Sequence, residues 1–171
     1  MHLSALNHIG GQPVLRLIPI GRGVLGGDMT GNDGLAAAFD GSLATFATVP
    51  GMPGVAHIGK LWPSRTTVRR MRALSVYHFA AASQYTVIEF TLQGSNDSTN
   101  ILNGTWSNLA QTTLANTYGT NQILDVSSGI DVSAAYSAHR LKMRTTNFDG
   151  ASIGQLSLHI AELELYEYSY I

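Results

Sequence analysis

The 171-residue sequence contains no cysteine, which excludes both a disulfide framework and a thiolate metal site. Charge is scarce as well: Asp, Glu, Lys and Arg make up 12% of the chain, about half the usual ~25%. The net charge of −1 provides no global field to recruit nucleic acid or an anionic membrane. No apolar run approaches the ~20 residues of a membrane-spanning helix, so no membrane insertion is expected. The start, Met1-His-Leu-Ser-Ala-Leu-Asn-His8, lacks the basic and continuously apolar parts of a secretory signal. Folding in a reducing cytoplasm is the expectation. No amphipathic pattern of ten or more helical residues occurs, and no internal repeat.

What the chain does have is glycine, 18 residues of it, together with Ser, Thr and Asn between short alternating runs. The clearest run is Tyr85-Thr-Val-Ile-Glu-Phe-Thr-Leu-Gln93, which places Ile88, Phe90 and Leu92 on one face and Glu89, Thr91 and Gln93 on the other. Gly94-Ser-Asn-Asp97 then reads as the turn that ends it. His139 to Thr146 alternates in the same way, with Leu141 and Met143 inward and Arg140, Lys142 and Arg144 outward. Thr67 to Tyr77 alternates imperfectly, which predicts a bulge. Gln155 to Tyr168 changes parity at Ala161-Glu162, which predicts a second. Leu35-Ala-Ala-Ala-Phe39 has room for one helical turn. Val49-Pro-Gly-Met-Pro-Gly54 is an irregular loop. Strand-length runs separated by turn residues predict an all-β, antiparallel sandwich over residues 35–171. Residues 1–34 read as an N-terminal extended arm or assembly segment, with an edge strand at Pro13–Ile20.

Several motifs occur in an order that resembles one family. They are Ala38-Phe-Asp-Gly41 with Thr45, Gln93-Gly-Ser-Asn-Asp97 with Trp106 and Leu109, Arg140-Leu-Lys-Met-Arg144, and Ile160-Ala-Glu-Leu-Glu-Leu-Tyr166. Together they resemble the discoidin, or coagulation factor 5/8 type C, domain of the galactose-binding-like superfamily, whose fold family 32 carbohydrate-binding modules share. The resemblance covers roughly residues 35–168 and implies a jelly-roll sandwich with ligand loops at one end. It also implies a structural calcium, with Asp40, Thr45 and Glu162 as ligands; no other cofactor is expected. Calcium takes six to eight oxygens, and Ser42 stands where the family often has an acidic or amide residue.

Catalytic signatures are missing. There is no HExxH, no G-x-S-x-G and no Walker motif, and Gly21-Arg-Gly-Val-Leu-Gly26 lacks the βαβ context that would make it a dinucleotide site. Glu162 and Glu164 read as a calcium ligand or as solvated side chains, not as an acid/base pair, so no enzymatic activity is expected. The run Arg65, Arg69, Arg70 and Arg72 lacks interleaved aromatics and reads as a solvated face or as salt bridges to a neighbouring subunit. A sugar site needs an aromatic platform and planar polar groups. Loop candidates are His57, Trp62 and Arg65, with Asn147 and Phe148 before the last strand; Trp106 reads as a packing residue.

The absent signal, low charge and glycine-rich arm are expected to fit a bacteriophage virion protein (capsid decoration, tail, spike or baseplate). It would pack against copies of itself and other virion proteins and present a glycan-binding face to the host surface. The alternative is a bacterial carbohydrate-binding module of the family 32 type.

Overall fold

The computed structural model describes residues 11–49, 54–78, 86–115, 121–147 and 158–171. These residues form an antiparallel β-sandwich. The strands are β1 (Pro13–Leu17), β2 (Val24–Gly27), β3 (Gly31–Asn32), β4 (Ala47–Thr48), β5 (Val55–Thr66) and β6 (Arg70–His78), followed by β7 (Thr86–Ser95), β8 (Ser107–Ala115), β9 (Gln122–Val126), β10 (Tyr136–Asn147), β11 (Leu158–Ile160) and β12 (Glu162–Tyr170). Leu35–Phe39 forms the expected single turn, of 3-10 type. One sheet runs β2-β5-β10-β7-β8. The other runs β1-β12-β6-β11-β4-β3, with β9 also paired to β6.

The period-two pattern of β7 does what its residues dictate. Ile88, Phe90 and Leu92 point into the core, joined there by Ile58 from β5 and by Leu141 and Met143 from β10. Across the sandwich, Met71, Leu163 and Leu165 close the other side. The parity change near Ala161 is present: Leu158 and Ile160 are buried before it, Leu163 and Leu165 after it. Its partner β6 changes face at the same level, from Met71 and Ala73 to Val76. Both strands roll over together, so the register between them is kept from His159↔Tyr77 to Glu162↔Leu74. The slip appears instead against β9, between Ala73 and Val76.

Two expectations need correction. Gly94 is not the start of a turn but a strand residue, paired with Ser107 and His139. A Cβ there would stand 2.5 Å from the Tyr136 ring, so glycine is required for space. Gly94→Ala is expected to cost about 1–3 kcal/mol through overpacking, visible as a lower thermal midpoint; an unchanged midpoint would mean the ring moves aside freely.

The second correction concerns residues 11–34, which are interleaved with the sandwich. β1 lies on the outer edge of one sheet against β12, with Pro13↔Tyr170 and Leu17↔Tyr166. β2 lies on β5 in the other sheet. The expected edge position of the proline-bearing strand holds, because Pro13 as first residue removes no ladder bond. A boundary after residue 34, however, falls inside the β3–β4 region of a sheet.

Candidate functional site

The β5 strand carries three of the expected sugar ligands, and it separates them. His57 and Trp62 belong to a regular strand, not a loop, and pleating sends them to opposite faces. His57 faces outward, where Asp28 accepts from its backbone N–H at 2.6 Å and lies 3.1 Å from Nδ1. Trp62 faces the core, 7% exposed. Its indole N–H donates to Nδ1 of His139 at 2.7 Å, so the donor is not open to a ligand. That bond places the His139 proton on Nε2, which is buried and has no partner among the described residues. Burial holds the His139 pKa down at about 4.

Arg65 lies at the far end of the same strand. β10 runs antiparallel, pairing Tyr136 with Thr66 and Arg144 with Val55. Asn147 therefore sits at the opposite end of the sandwich from Arg65, roughly 35 Å away at ~3.3 Å per residue. The two halves of the expected sugar site do not meet. Phe148 lies outside the described residues.

The three expected calcium donors do come together. The Thr45 hydroxyl donates to Asp40 at 2.6 Å, the Ser42 N–H donates to Asp40 at 2.8 Å, and the Gly41 N–H donates to Glu162 at 2.8 Å. The first two hold the Asp40 carboxyl below its ordinary range. Hydrogen-bond donors thus point at the oxygens a cation would need. A cation is also already nearby: the buried ammonium of Lys60 lines the same small cavity as Glu162, Phe39 and Trp62. It donates to the Ile20 carbonyl at 2.6 Å and lies 4.7 Å from the Phe39 ring centre. As arranged, these residues fit a hydrogen-bonded loop backed by an internal ammonium, not a calcium cage. Burial pushes Glu162 up to about 7, against the opposing pull of the Gly41 N–H and of Lys60. Among the described residues, no group of three or more His, Asp or Glu side chains is placed to hold a metal.

The arginine run is resolved within the chain. Arg70 pairs with Asp125, and Arg72 reaches Glu164 at 2.9 Å and Asp125 at 3.5 Å. Arg65 and Arg69 are the exceptions; no ion pair holds either among the described residues. Both line a concavity of about 210 Å³, with Thr66, Thr67, Glu167, Tyr168 and Tyr170. The connector from β5 to β6 forms one wall and is pinned by the Arg69 N–H on the Tyr166 carbonyl at 2.7 Å. The end of β12 forms the other. There Tyr168 and Tyr170 share the outer face by strand periodicity and are 47% and 75% exposed. The Arg69 guanidinium lies 5.2 Å from the Tyr168 ring centre. Arg22 contacts Glu167 and donates to the Thr66 hydroxyl at 2.7 Å, bracing the floor.

A second concavity of about 280 Å³ opens by Gly23, Val24, Leu61, Trp62 and Pro63. It lacks polar side chains to orient a ligand apart from the indole N–H, which is already committed. Trp106 is not a free platform either, because the Arg140 guanidinium covers one face at 4.0 Å and the Trp106 indole N–H donates to the Asn103 carbonyl. The Tyr168–Tyr170 pair gave no signal in the sequence beyond alternation at the end of the last strand. Nothing local marks residues 167–170 as neighbours of Arg65.

No family model matches the sequence, and no curated protein matches it. Solved structures do. A family 32 carbohydrate-binding module from Clostridium perfringens, in complex with galactose, aligns with a TM-score of 0.59 at 15% identity, covering 90% of this chain and 100% of that one. A chitosan-binding module of a Paenibacillus sp. IK-5 chitosanase/glucanase aligns at 0.56 and 21%, covering 85% and 95%. Another Clostridium perfringens module, in complex with GalNAc-β-1,3-galactose, aligns at 0.55 and 14%, covering 88% and 99%. In both its sheets and the length it spans, the chain has the antiparallel β-sandwich fold of the family 32 carbohydrate-binding modules.

Proposed function

We propose that this chain is a non-catalytic glycan-binding module whose ligand sits in the concavity between Arg65, Arg69, Tyr168 and Tyr170. The observation that carries this is the pairing of exposed tyrosine rings with two guanidinium groups that have no carboxylate partner among the described residues. An aromatic face takes the apolar side of a pyranose, and planar N–H groups take its oxygens. At about 210 Å³ the space is smaller than the ~300–1,000 Å³ of drug-sized sites, so it suits a single ring. The fold supports the reading, since its neighbours include modules solved with bound saccharides. No observation favours the virion role over this one.

The test is calorimetric titration of the full chain with sugars that score on a glycan array. Tyr168→Ala is expected to weaken binding about tenfold or more, since base- or ring-stacking side chains at a site centre contribute on the order of 1–3 kcal/mol. Its thermal midpoint should hardly move, as an exposed substitution costs within about 0.5 kcal/mol. Undiminished binding by both Tyr168→Ala and Arg69→Ala would place the site elsewhere.

A further inference from the structure

We infer that the ligand of this concavity is an anionic sugar, one that carries a carboxylate or a sulfate on its ring; the inference rests on the glycan-binding role proposed above. The chain has ten Lys and Arg against eleven Asp and Glu, so a locally uncompensated positive site runs against the overall balance. Most described arginines are spoken for. Arg22, Arg70, Arg72 and Arg144 each have a carboxylate partner, and the buried Arg140 is satisfied by the Gln93 amide oxygen and the Ile101 carbonyl. Arg16, Arg65 and Arg69 have neither among the described residues, and the last two face the same space.

The hydrogen-bonding inventory points the same way. The hydroxyls of a neutral sugar both donate and accept, so a site for one uses carboxylate or amide oxygens as well as N–H groups. Here the one carboxylate, Glu167, is engaged by Arg22. The Thr66 hydroxyl accepts from Arg22 and donates to the Ser64 carbonyl at 3.2 Å. What remains open leans toward donors: two guanidinium groups that only donate, and the hydroxyls of Thr67, Tyr168 and Tyr170, which donate or accept. Such a set complements a ligand rich in acceptors. The Arg69 guanidinium lies over the Tyr168 ring, 5.2 Å from its centre, and no ion pair takes its N–H groups among the described residues, which leaves a planar donor set for an oxyanion.

The experiment titrates the full chain with galactose, galacturonic acid, galactose 6-sulfate and inorganic sulfate, at low and at physiological salt. Galacturonic acid or the sulfated sugar is expected to bind about tenfold or more tightly than galactose, with affinity falling as salt rises. The two probes separate a uronate site from a sulfate-ester site. Arg65→Gln and Arg69→Gln should each lower charged-sugar affinity about tenfold more than they lower galactose affinity. Equal affinity for galactose and galacturonic acid, both lost in Tyr168→Ala, would overturn the anion inference and keep the glycan-binding role. Inorganic sulfate binding as tightly as the sulfated sugar would overturn the glycan-binding role, because the ring would contribute nothing. Absence of binding by every probe would overturn both.

Discussion

Glu162→Gln is expected to stabilise the protein at pH 8 by up to about 3 kcal/mol and to expose an acid transition that the parent chain conceals. The carboxyl of Glu162 titrates near 7 in the fold against 4.5 ordinarily, chiefly because it is buried. A raised carboxylate pKa means the folded state binds the proton more tightly than the unfolded chain. Stability from this group is therefore greatest below pH 4.5 and is lost as pH rises through 7. His139 runs the other way. Its pKa falls from 6.5 to about 4 on burial, so the unfolded chain binds that proton better, and stability is lost as pH drops from 6.5 to 4. The two slopes oppose each other between about pH 4.5 and 6.5, and each spans about 3 kcal/mol. The parent chain should show a nearly flat profile there and decline above pH 6.5. The glutamine variant keeps the acceptor for the Gly41 N–H, removes the titration, and leaves the His139 slope alone. Urea unfolding at half-unit pH steps reads this directly. A parallel offset between the two proteins at all pH values would show that Glu162 is not the titrating group.

Trp62 is the second place where a large effect is expected. Trp62→Ala should destabilise by about 3–5 kcal/mol, the usual cost of deleting a buried aromatic. The more informative change is Trp62→Phe, which keeps most of the apolar volume and deletes the indole N–H. His139 Nδ1 then loses the donor it has among the described residues, in a fully buried site, at a cost of about 1–3 kcal/mol. The concavity at Arg65 should retain its sugar affinity in this variant, because Trp62 does not line it. That outcome would assign Trp62 to the core. Loss of binding with unchanged stability would restore it to the ligand site and displace the proposal made for Tyr168.

Much of the architecture could be read from single runs of residues. Alternation in β7 and β10 assigned the inward set correctly, because side chains on a pleated strand change face at every residue and no distant information is needed. The parity change at Ala161 was legible for the same reason. Alternation fails where a second layer covers the outer face. Arg140 was expected to point outward and does, yet it is 8% exposed, since Trp106 and the Ile101 carbonyl from the loop before β8 cover it. Gly94 shows a different failure. The residue type signalled a turn, whereas the ring of Tyr136, 42 positions later, was what excluded a side chain.

Site residues were the least legible. Asp40, Thr45 and Glu162 were expected together and lie together, but Lys60, which decides their electrostatics, had no local mark. Arg65 was named with His57 and Trp62 because they are close in sequence. In a strand of twelve residues that closeness means different faces and different levels. Its actual companions, Tyr168 and Tyr170, are more than a hundred positions away.

By itself, then, the sequence determined the strand class, the inward faces of the long strands, and the absence of thiol chemistry and of a membrane-spanning helix. These depend on composition and on a two-residue period, both local properties. Only the tertiary structure decided which polar groups are consumed by one another and which stay open. Arg22 neutralises Glu167 across 145 positions and Trp62 occupies His139 across 77, while Arg65 and Arg69 have no ion pair among the described residues and lie beside two tyrosines. The physical reason is that a hydrogen bond or ion pair is made by distance in space, and antiparallel sheets bring the far ends of a chain to within 5 Å of one another.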